Sequence, residues 1–213
     1  MKTAVWEAII FDFDGVVVES GDIKTQAFVN LYRDHGDTIM AAVAQYHCSN
    51  GGLSRYHKFR YFQQYLLKKP PLTQDEEQLL DQRFSELVVE AVIASEAVPG
   101  ATELIQREAA RIPLFIASGT PEAELNTIVE RRGLASYFTA VRGSPAPKQA
   151  LVTDILTGHA LERDRVLMIG DALADYQSAQ FNQIAFLGRV RPGDVNPFPA
   201  DVDVLPDLSP LLV

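Results

Sequence analysis

Two aspartates, Asp12 and Asp14, stand on either side of Phe13 in the short sequence FDFDG. Side chains two positions apart in an extended chain project to the same side, so the two carboxylates come close together. Such a pair is unfavourable when buried, unless a cation or a shared proton relieves the repulsion. One carboxylate of a pair can act as a nucleophile toward a phosphoryl group while the other transfers protons. The pair alone is equally consistent with two strand-end aspartates that face water or cap a turn.

A hydroxyl-bearing segment, Ser118-Gly119-Thr120, follows a second apolar run. Its hydroxyls and the backbone amides near the glycine can hold phosphate oxygens. The alternative is that Thr120 caps a helix begun by Pro121, because threonine is a frequent N-cap and proline a frequent first helical residue. The two roles are compatible, and we expect both.

Two further charged sites follow the next two apolar runs of the chain. Lys148 comes after Pro145-Ala146-Pro147, where an ammonium group can neutralise both a nucleophile and a phosphate. Asp171, directly after Gly170, and Asp175 supply the hard oxygen ligands that Mg²⁺ requires. Each site taken alone has an equally good structural interpretation. The lysine could lie on the surface in a first helical turn, and the carboxylates could cap a strand end. Four polar sites in succession at the ends of apolar runs favour one catalytic site.

Short apolar runs alternate with helical patterns through most of the chain. The apolar runs are 8–13, which 16–18 extend past a glycine, then 112–117, 138–141, 166–169 and 184–187. The helical patterns are 101–110, 121–132, 148–157 and 175–181. Runs that are apolar on both faces are typical of strands buried in a parallel sheet. The alternation predicts an α/β fold with a doubly wound, Rossmann-like parallel sheet, in which ligands bind at the carboxyl ends of the strands.

The segment 22–97 interrupts this alternation and has no convincing strand pattern. It contains four predicted helices, at 23–34, 38–47, 54–68 and 74–97. Thr73 and Glu76 form the sequence of a capping box at the start of the last one. We therefore expect an all-helical cap domain inserted after strand 1, with the cap at 20–97 and the α/β core at 1–19 and 98–213. Val98-Pro99-Gly100 is the expected return hinge.

The charge and composition narrow the classes of partner. The formal net charge is -9, which repels nucleic-acid backbones and anionic membranes, so we expect neither as a partner. A single cysteine, Cys48, excludes an intramolecular disulfide, and no apolar run approaches the roughly 20 residues of a membrane helix. These features, with no signal-like N-terminus, predict a cytoplasmic protein. The four histidines lack metal-ligand spacing and are expected to be structural or surface residues: His35, His47, His57 and His159.

The chain resembles the haloacid dehalogenase-like hydrolase superfamily in its motifs, which are Asp12-Phe13-Asp14-Gly15-Val16, Ser118, Lys148 and Gly170-Asp171 with Asp175. It is most similar to the phosphatase branch with a helical cap after the first strand, where phosphoglycolate phosphatases and β-phosphoglucomutase-like enzymes lie. The resemblance implies a Mg²⁺-dependent phosphohydrolase that forms an aspartyl-phosphate and acts on a small phosphorylated metabolite.

The resemblance also implies a role for each motif residue. Asp12 would be the nucleophile, and Asp14 would be the general acid and base. The metal ligands would be Asp12, Asp14 through its backbone carbonyl, Asp171 and Asp175. The phosphate would be held by Ser118, Gly119, Thr120 and Lys148. The family often carries its lysine before a Pro-x-Pro segment, whereas Lys148 follows one here.

The cap offers candidate substrate contacts just after Asn50-Gly51-Gly52. Arg55 and Lys58 could meet a second anionic group of the substrate, or they could belong to a solvated helix face. Two other functions stay open on the sequence. One is a phosphosugar mutase of the β-phosphoglucomutase type, and the other is a non-catalytic binding protein on the same fold. Asp14 argues against dehalogenase and phosphonate-cleaving members, which in this superfamily lack a second aspartate at that position.

Overall fold

A parallel sheet of six strands forms the centre of the computed structural model, which describes residues 6–212. The strands are β1 (Ala8–Phe11), β2 (Leu114–Pro121), β3 (Ala140–Ser144), β4 (Val166–Gly170), β5 (Ala185–Arg189) and β6 (Val204–Leu205). Their order across the sheet is β3-β2-β1-β4-β5-β6, with β1 between β2 and β4. This order reverses at β1, as it does in doubly wound sheets, and it confirms the predicted α/β class.

Strand β1 is the innermost element, and all four of its residues are buried. Its last residue, Phe11, pairs with Ile116 of β2 and Ile169 of β4. Apolar residues on both faces of the strand bury against the layers above and below the sheet, which is why the run is not interrupted by polar residues. The pairing brings the carboxyl ends of β1, β2 and β4 to the same edge, where their polar residues follow.

Eight α-helices are present in the described part of the chain. They are α1 (Gly21–Leu31), α2 (Asp37–Ser49), α3 (Arg55–Tyr61), α4 (Gln74–Ala94), α5 (Ala101–Ala109), α6 (Glu122–Arg131), α7 (Lys148–Gly158) and α8 (Leu173–Asn182). None of the helices in residues 6–212 has the length and apolar character needed to cross a membrane. The predicted capping box begins α4, where the Thr73 hydroxyl accepts from the Glu76 amide and the Glu76 carboxylate accepts from the Thr73 amide.

Helices α1 to α4 pack around an aromatic cluster of their own. Phe28 lies within 4.3–5.9 Å of Phe59, Phe62 and Phe84, measured between ring centroids. All four rings are at most 2% exposed, and they form the part of the hydrophobic core that lies among these helices and continues into the core around the sheet. We retain 20–97 as the proposed extent of the helical cap on this basis.

Several predicted boundaries were wrong for local reasons. Residues 16–18 do not extend the first strand, because the Phe13 carbonyl accepts from the amides of Val17 and Val18 and closes a turn. Helix α4 ends at Ala94 and not at 97, since residues 96–98 run beside 17–19 through backbone hydrogen bonds. The third predicted helix divides into α3 and a π-helical turn, Phe62–Leu66. The two-residue strand β6 had no recognisable pattern in the sequence.

Candidate active site

Asp12 lies at the carboxyl end of β1 and is 2% exposed. Its backbone amide donates to the Ile169 carbonyl of β4 at 2.9 Å, which fixes the residue at the sheet edge. Its Oδ1 atom accepts from the Phe13 amide at 2.8 Å and lies 3.0 Å from the Lys148 ammonium. Burial and the nearby Asp175 carboxylate raise the pKa of Asp12 to about 7, although Lys148 opposes the shift.

Three carboxylates converge at this edge of the sheet. Asp12, Asp171 and Asp175 each offer one oxygen, and the three oxygens lie within 4.8 Å of one another. Burial and the charges of the other two aspartates raise the pKa of Asp171 well above its ordinary value. Asp175 is held in place by the Ala172 amide, which donates to its Oδ2 at 3.0 Å. The repulsion within such a cluster of like charges is relieved by nearby cations or by protonation.

Two glycines allow these carboxylates to approach the backbone. A Cβ atom at Gly15 would lie 2.0 Å from Asp171 Oδ2, and the φ of Gly15 is +76°, a conformation that other residues rarely adopt. A Cβ atom at Gly170 would lie 2.3 Å from the Cβ of Asp175. The absence of a side chain at Gly15 and Gly170 therefore leaves the space that Asp171 and Asp175 occupy.

Lys148 is the cation of this cluster. It occupies the first turn of α7, and its side chain is 4% exposed. Its ammonium contacts both Asp12 and Asp175. Burial lowers the pKa of a lysine, but the two carboxylates outweigh that effect and raise the pKa of Lys148. Lys148 is therefore buried, and the alternative interpretation of it as a surface lysine was wrong.

Asp14 faces a different set of partners from Asp12. Its Oδ1 accepts from the Ser20 hydroxyl at 2.6 Å, and its Oδ2 accepts from the Thr120 hydroxyl at 3.0 Å and from the Lys24 ammonium. Burial alone would raise the pKa of Asp14, but Lys24 and these hydroxyls hold it lower, at about 2. The Ser118 hydroxyl is also within 3.4 Å of the Asp14 carboxylate.

The predicted helix-capping role of Thr120 was wrong. Pro121 is the N-cap of α6 and offers no side-chain hydrogen bond. The Thr120 hydroxyl instead donates to Asp14, while the Lys24 ammonium donates to it at 2.7 Å. Strand β2 also continues through the whole segment to Pro121, so Ser118, Gly119 and Thr120 lie within the strand and not after it.

A cavity of about 90 Å³ lies between this sheet edge and helices α1 to α4. It is lined by Asp12, Asp14, Lys24, Phe28, His47, Arg55, Lys58, Gly119, Thr120 and Asp171, among others. The loop at Gly52 closes onto the sheet edge, because a Cβ atom at Gly119 would lie 2.8 Å from the Gly52 carbonyl oxygen. Motif residues that follow β1 and β4, together with residues of β2, therefore line one partly open cavity with residues of the proposed cap.

The two predicted cap contacts, Arg55 and Lys58, both line the cavity but differ in their partners. The Arg55 guanidinium is bound by Glu124 of α6 and lies 3.1 Å from Asp81 and 2.8 Å from the Ser85 hydroxyl of α4. Lys58 is 2% exposed, and its ammonium lies 2.9 Å from His47 Nδ1. Contact of either residue with substrate stays a prediction, although the two carboxylate partners of Arg55 favour a structural role for it instead.

Two residues of the cavity were missed by sequence reasoning. Lys24 contacts Asp14 and Thr120, and His47 contacts Lys58. Lys24 falls one turn into α1 and carries no motif, and His47 was expected to be structural or superficial. The only sequence signal for Lys24 was its position twelve residues after Asp12 in the first helix of the insert, which is too weak to single it out.

Comparisons with known proteins bear on the family and the fold of the chain. A family model described as haloacid dehalogenase-like hydrolase matches residues 6–181. A phosphoglycolate phosphatase of Synechococcus elongatus is 24% identical over 183 residues, covering 82% of this chain and 79% of that protein. CbbY of Rhodobacter sphaeroides, solved with phosphate, superimposes with a TM-score of 0.74 at 18% identity, covering 97% of this chain and 96% of that one. A β-phosphoglucomutase of Clostridium difficile gives 0.76 at 18% identity, with coverage of 97% and 93%.

Proposed function

The chain belongs to the haloacid dehalogenase-like hydrolases and is therefore an enzyme, and from this premise we propose that it is a Mg²⁺-dependent phosphomonoesterase. Its substrate is a small phosphorylated metabolite, and the reaction proceeds through a phosphoryl group carried on Asp12. The observation that carries the proposal is the convergence of Asp12, Asp171 and Asp175 beside the buried ammonium of Lys148. The phosphatase name of the curated relative supports the same reaction class.

The donor set fits a divalent cation. Asp12, Asp171 and Asp175 bring three carboxylates together, and Lys148 neutralises one of them, which leaves a charge of about minus two when all three are ionised. Oxygen ligands of this kind suit Mg²⁺. When bound, the ion would offset the charge of the carboxylates and of the substrate phosphate. A cytoplasmic location is part of the proposal, on the sequence evidence given above.

In the first half-reaction, a carboxylate oxygen of Asp12 attacks phosphorus, and the bond from phosphorus to the leaving oxygen breaks. Asp12 is already oriented by the Phe13 amide, so little rearrangement is needed. Lys148 and the Ser118 hydroxyl stabilise negative charge on the phosphoryl oxygens. Asp14 gives its proton to the leaving oxygen, which departs as an alcohol.

The acid role of Asp14 requires a proton that its carboxylate lacks in this arrangement. Burial would raise the pKa of Asp14, but the Lys24 ammonium and the hydroxyls of Ser20 and Thr120 lower it. A substrate phosphate brings further negative charge into the same cavity, which raises the pKa of Asp14 and attracts the Lys24 ammonium toward the phosphate. Substrate binding thereby supplies the change in electrostatics that loads Asp14 with a proton.

In the second half-reaction, the ionised Asp14 removes a proton from water as the water oxygen attacks phosphorus. The bond between Asp12 and phosphorus then breaks, and the Asp12 carboxylate is restored. The net reaction consumes one ester and one water and yields one alcohol and one phosphate. Asp14 serves as acid first and base second, and so it ends in its starting state.

Phosphate release from a panel of small phosphate esters tests this proposal. We expect release with Mg²⁺, none with EDTA, and none from the Asp12→Asn variant under either condition. Calorimetric titration with Mg²⁺ alone separates a failed metal site from a missing substrate. Release that survives in Asp12→Asn would overturn the proposed nucleophile.

The mutase alternative shares the nucleophile and differs in the acceptor of the phosphoryl group. It draws support from the similarity to a β-phosphoglucomutase, which at 18% identity extends to the fold alone. Product analysis with a hexose phosphate distinguishes the two reactions. A phosphatase yields free phosphate, whereas a mutase yields an isomeric sugar phosphate and little free phosphate.

A further inference from the structure

Arg189 is a buried arginine at the end of β5, the strand next to β4 in the sheet. Its side chain is 5% exposed. Its guanidinium donates to the Gly15 carbonyl at 3.3 Å, to the Pro206 carbonyl at 3.0 Å and to both carboxylate oxygens of Glu19. The planar guanidinium holds these acceptors in one fixed arrangement, which a flexible ammonium does not do. The reaction steps proposed above use neither Arg189 nor Glu19.

The contacts of Arg189 attach the turn after β1 to the neighbouring part of the sheet. Gly15 lies within that turn, and Glu19 is the last residue before the proposed cap. The turn is closed by its own backbone, because the Gly15 amide donates to the Val18 carbonyl at 2.7 Å and the Val18 amide donates to the Phe13 carbonyl at 3.2 Å. Those bonds join the turn to itself, whereas the bonds from Arg189 join it to β5.

The position of this turn determines the geometry of the candidate active site. The Asp14 carbonyl, which the sequence predicts to be a metal ligand, is part of the peptide bond to Gly15. The Asp171 carboxylate occupies the space where a Cβ atom of Gly15 would lie. A movement of Gly15 therefore moves Asp14 and leaves Asp171 without its packing surface. A displacement of about 1 Å in a catalytic arrangement can lower the rate by about 10²-fold.

We propose that Arg189 is a positioning residue for the reaction. It holds the Gly15 carbonyl and the Glu19 carboxylate, and it thereby fixes Asp14 and Asp171 relative to the nucleophile. Arg189 is not among the residues that line the active-site cavity, so it acts through the turn and not on the substrate. This inference rests on the proposed phosphatase function and adds a residue that the motifs do not contain.

Arg191, two residues further along the chain, offers a matched control. Its guanidinium pairs with Asp22 at 2.8 Å and with Asp194 at 3.2 Å, and its side chain is 40% exposed. Asp22 lies in the first turn of α1 and Asp194 in the segment after β5, so neither partner belongs to the turn after β1. Exposed ion pairs of this kind contribute little to stability. Arg191→Met therefore removes a nearby arginine and leaves the turn unchanged.

Calorimetric titration with Mg²⁺ alone, steady-state kinetics and thermal unfolding of the variants test the inference. Loss of a residue that orients metal ligands typically costs about 10- to 100-fold in metal affinity or activity. We expect Arg189→Met to weaken Mg²⁺ binding and to lower kcat within that range, with KM nearly unchanged, because the residue does not touch substrate. Arg189→Lys keeps a charge opposite Glu19 but lacks the planar fork, so it should recover most of the Tm and little of the kcat. Arg191→Met should match the wild type in all three measurements.

The outcomes separate a positioning role from a structural one. A lower Tm in Arg189→Met with the Mg²⁺ affinity and kcat of the wild type belongs to a structural residue and overturns the inference. Full recovery of kcat in Arg189→Lys, or an equal loss in Arg191→Met, also overturns it. If Arg189→Met does not fold, Glu19→Gln removes the charge that orients the guanidinium. A smaller loss of Mg²⁺ affinity in Glu19→Gln then supports the inference, and an unchanged affinity overturns it.

The Mg²⁺ titration also distinguishes failure of this inference from failure of the proposed function. A wild-type protein that does not bind Mg²⁺ overturns the proposed function and the inference together. A wild-type protein that binds Mg²⁺, beside an Arg189→Met variant of equal affinity and kcat, overturns the inference alone.

Discussion

Arg55 is expected to join the proposed cap to the sheet domain and not to bind substrate. Its guanidinium meets Glu124 of α6 and Asp81 of α4, with side-chain exposures of 3% for Arg55 and 9% for Glu124. Removing one partner of a buried ion pair leaves the other charge without compensation, which costs about 3–5 kcal/mol. Because Asp81 is 28% exposed, we expect the lower end of that range, about 3 kcal/mol, for either Arg55→Met or Glu124→Gln.

Thermal unfolding of the two single variants and the double variant measures this coupling. A loss of about 3 kcal/mol corresponds to a fall in Tm of about 6–12 °C in a chain of this size. The double variant should be less destabilised than the sum of the singles, by about 2 kcal/mol, because the pair is lost once.

The control for this experiment is an exposed ion pair that joins the same two helices. Glu90 of α4 pairs with Arg131 of α6, and their side chains are 75% and 47% exposed, so Glu90→Gln should leave the Tm unchanged. Additive effects of the Arg55 and Glu124 changes would refute the reasoning. So would a normal Tm in Arg55→Met combined with a large rise in KM, since that pattern belongs to a substrate contact.

Three further predictions concern the carboxylate cluster. With EDTA present, the Tm should fall as the pH rises from about 4 to about 7, because the pKa of Asp12 is raised from 3.8 to about 7 and folding favours its protonated form. Saturating Mg²⁺ should remove this pH dependence. A Tm that rises between about pH 4 and about pH 7 in EDTA would contradict the prediction. Gly15→Ala places a Cβ 2.0 Å from Asp171 Oδ2, so kcat/KM should fall at least about 10-fold with the fold intact by circular dichroism, and full activity would refute the steric argument. Lys148→Met should lower kcat about 10²- to 10³-fold in steady-state assays, and an unchanged kcat would remove Lys148 from the mechanism.

The sheet and its polar edge could be predicted from sequence because both follow from local patterns. Short runs that are apolar on both faces identify the strands, and a parallel sheet brings their carboxyl ends to one edge. Asp12 and Asp171 therefore meet although 159 positions separate them in the chain. The glycines beside these aspartates are present in the sequence motifs. The close approach of carboxylates to Gly15 and Gly170 could not be predicted, because it depends on where the carboxylates lie in the folded chain.

The cap face of the site could not be predicted in the same way. Whether Lys24, Arg55 or Lys58 is free depends on which carboxylates meet it when the helices dock, and no periodicity encodes that docking. Arg55 and Lys58 are three residues apart in one helix, yet one meets Glu124 and the other meets His47. Thr120 illustrates the same limit, because its capping prediction failed when tertiary contacts with Asp14 and Lys24 took its hydroxyl.

The central claim is that the phosphoryl group passes through Asp12, and trapping that intermediate tests it most directly. The Asp14→Asn variant is mixed with p-nitrophenyl phosphate and Mg²⁺, quenched in acid and analysed by mass spectrometry of its peptides. The leaving group needs no protonation, whereas attack by water does need a base, so the variant should accumulate the intermediate. The account predicts one added phosphoryl group, located on Asp12. Release of p-nitrophenol in repeated turnovers with no phosphoryl group on Asp12 would contradict it.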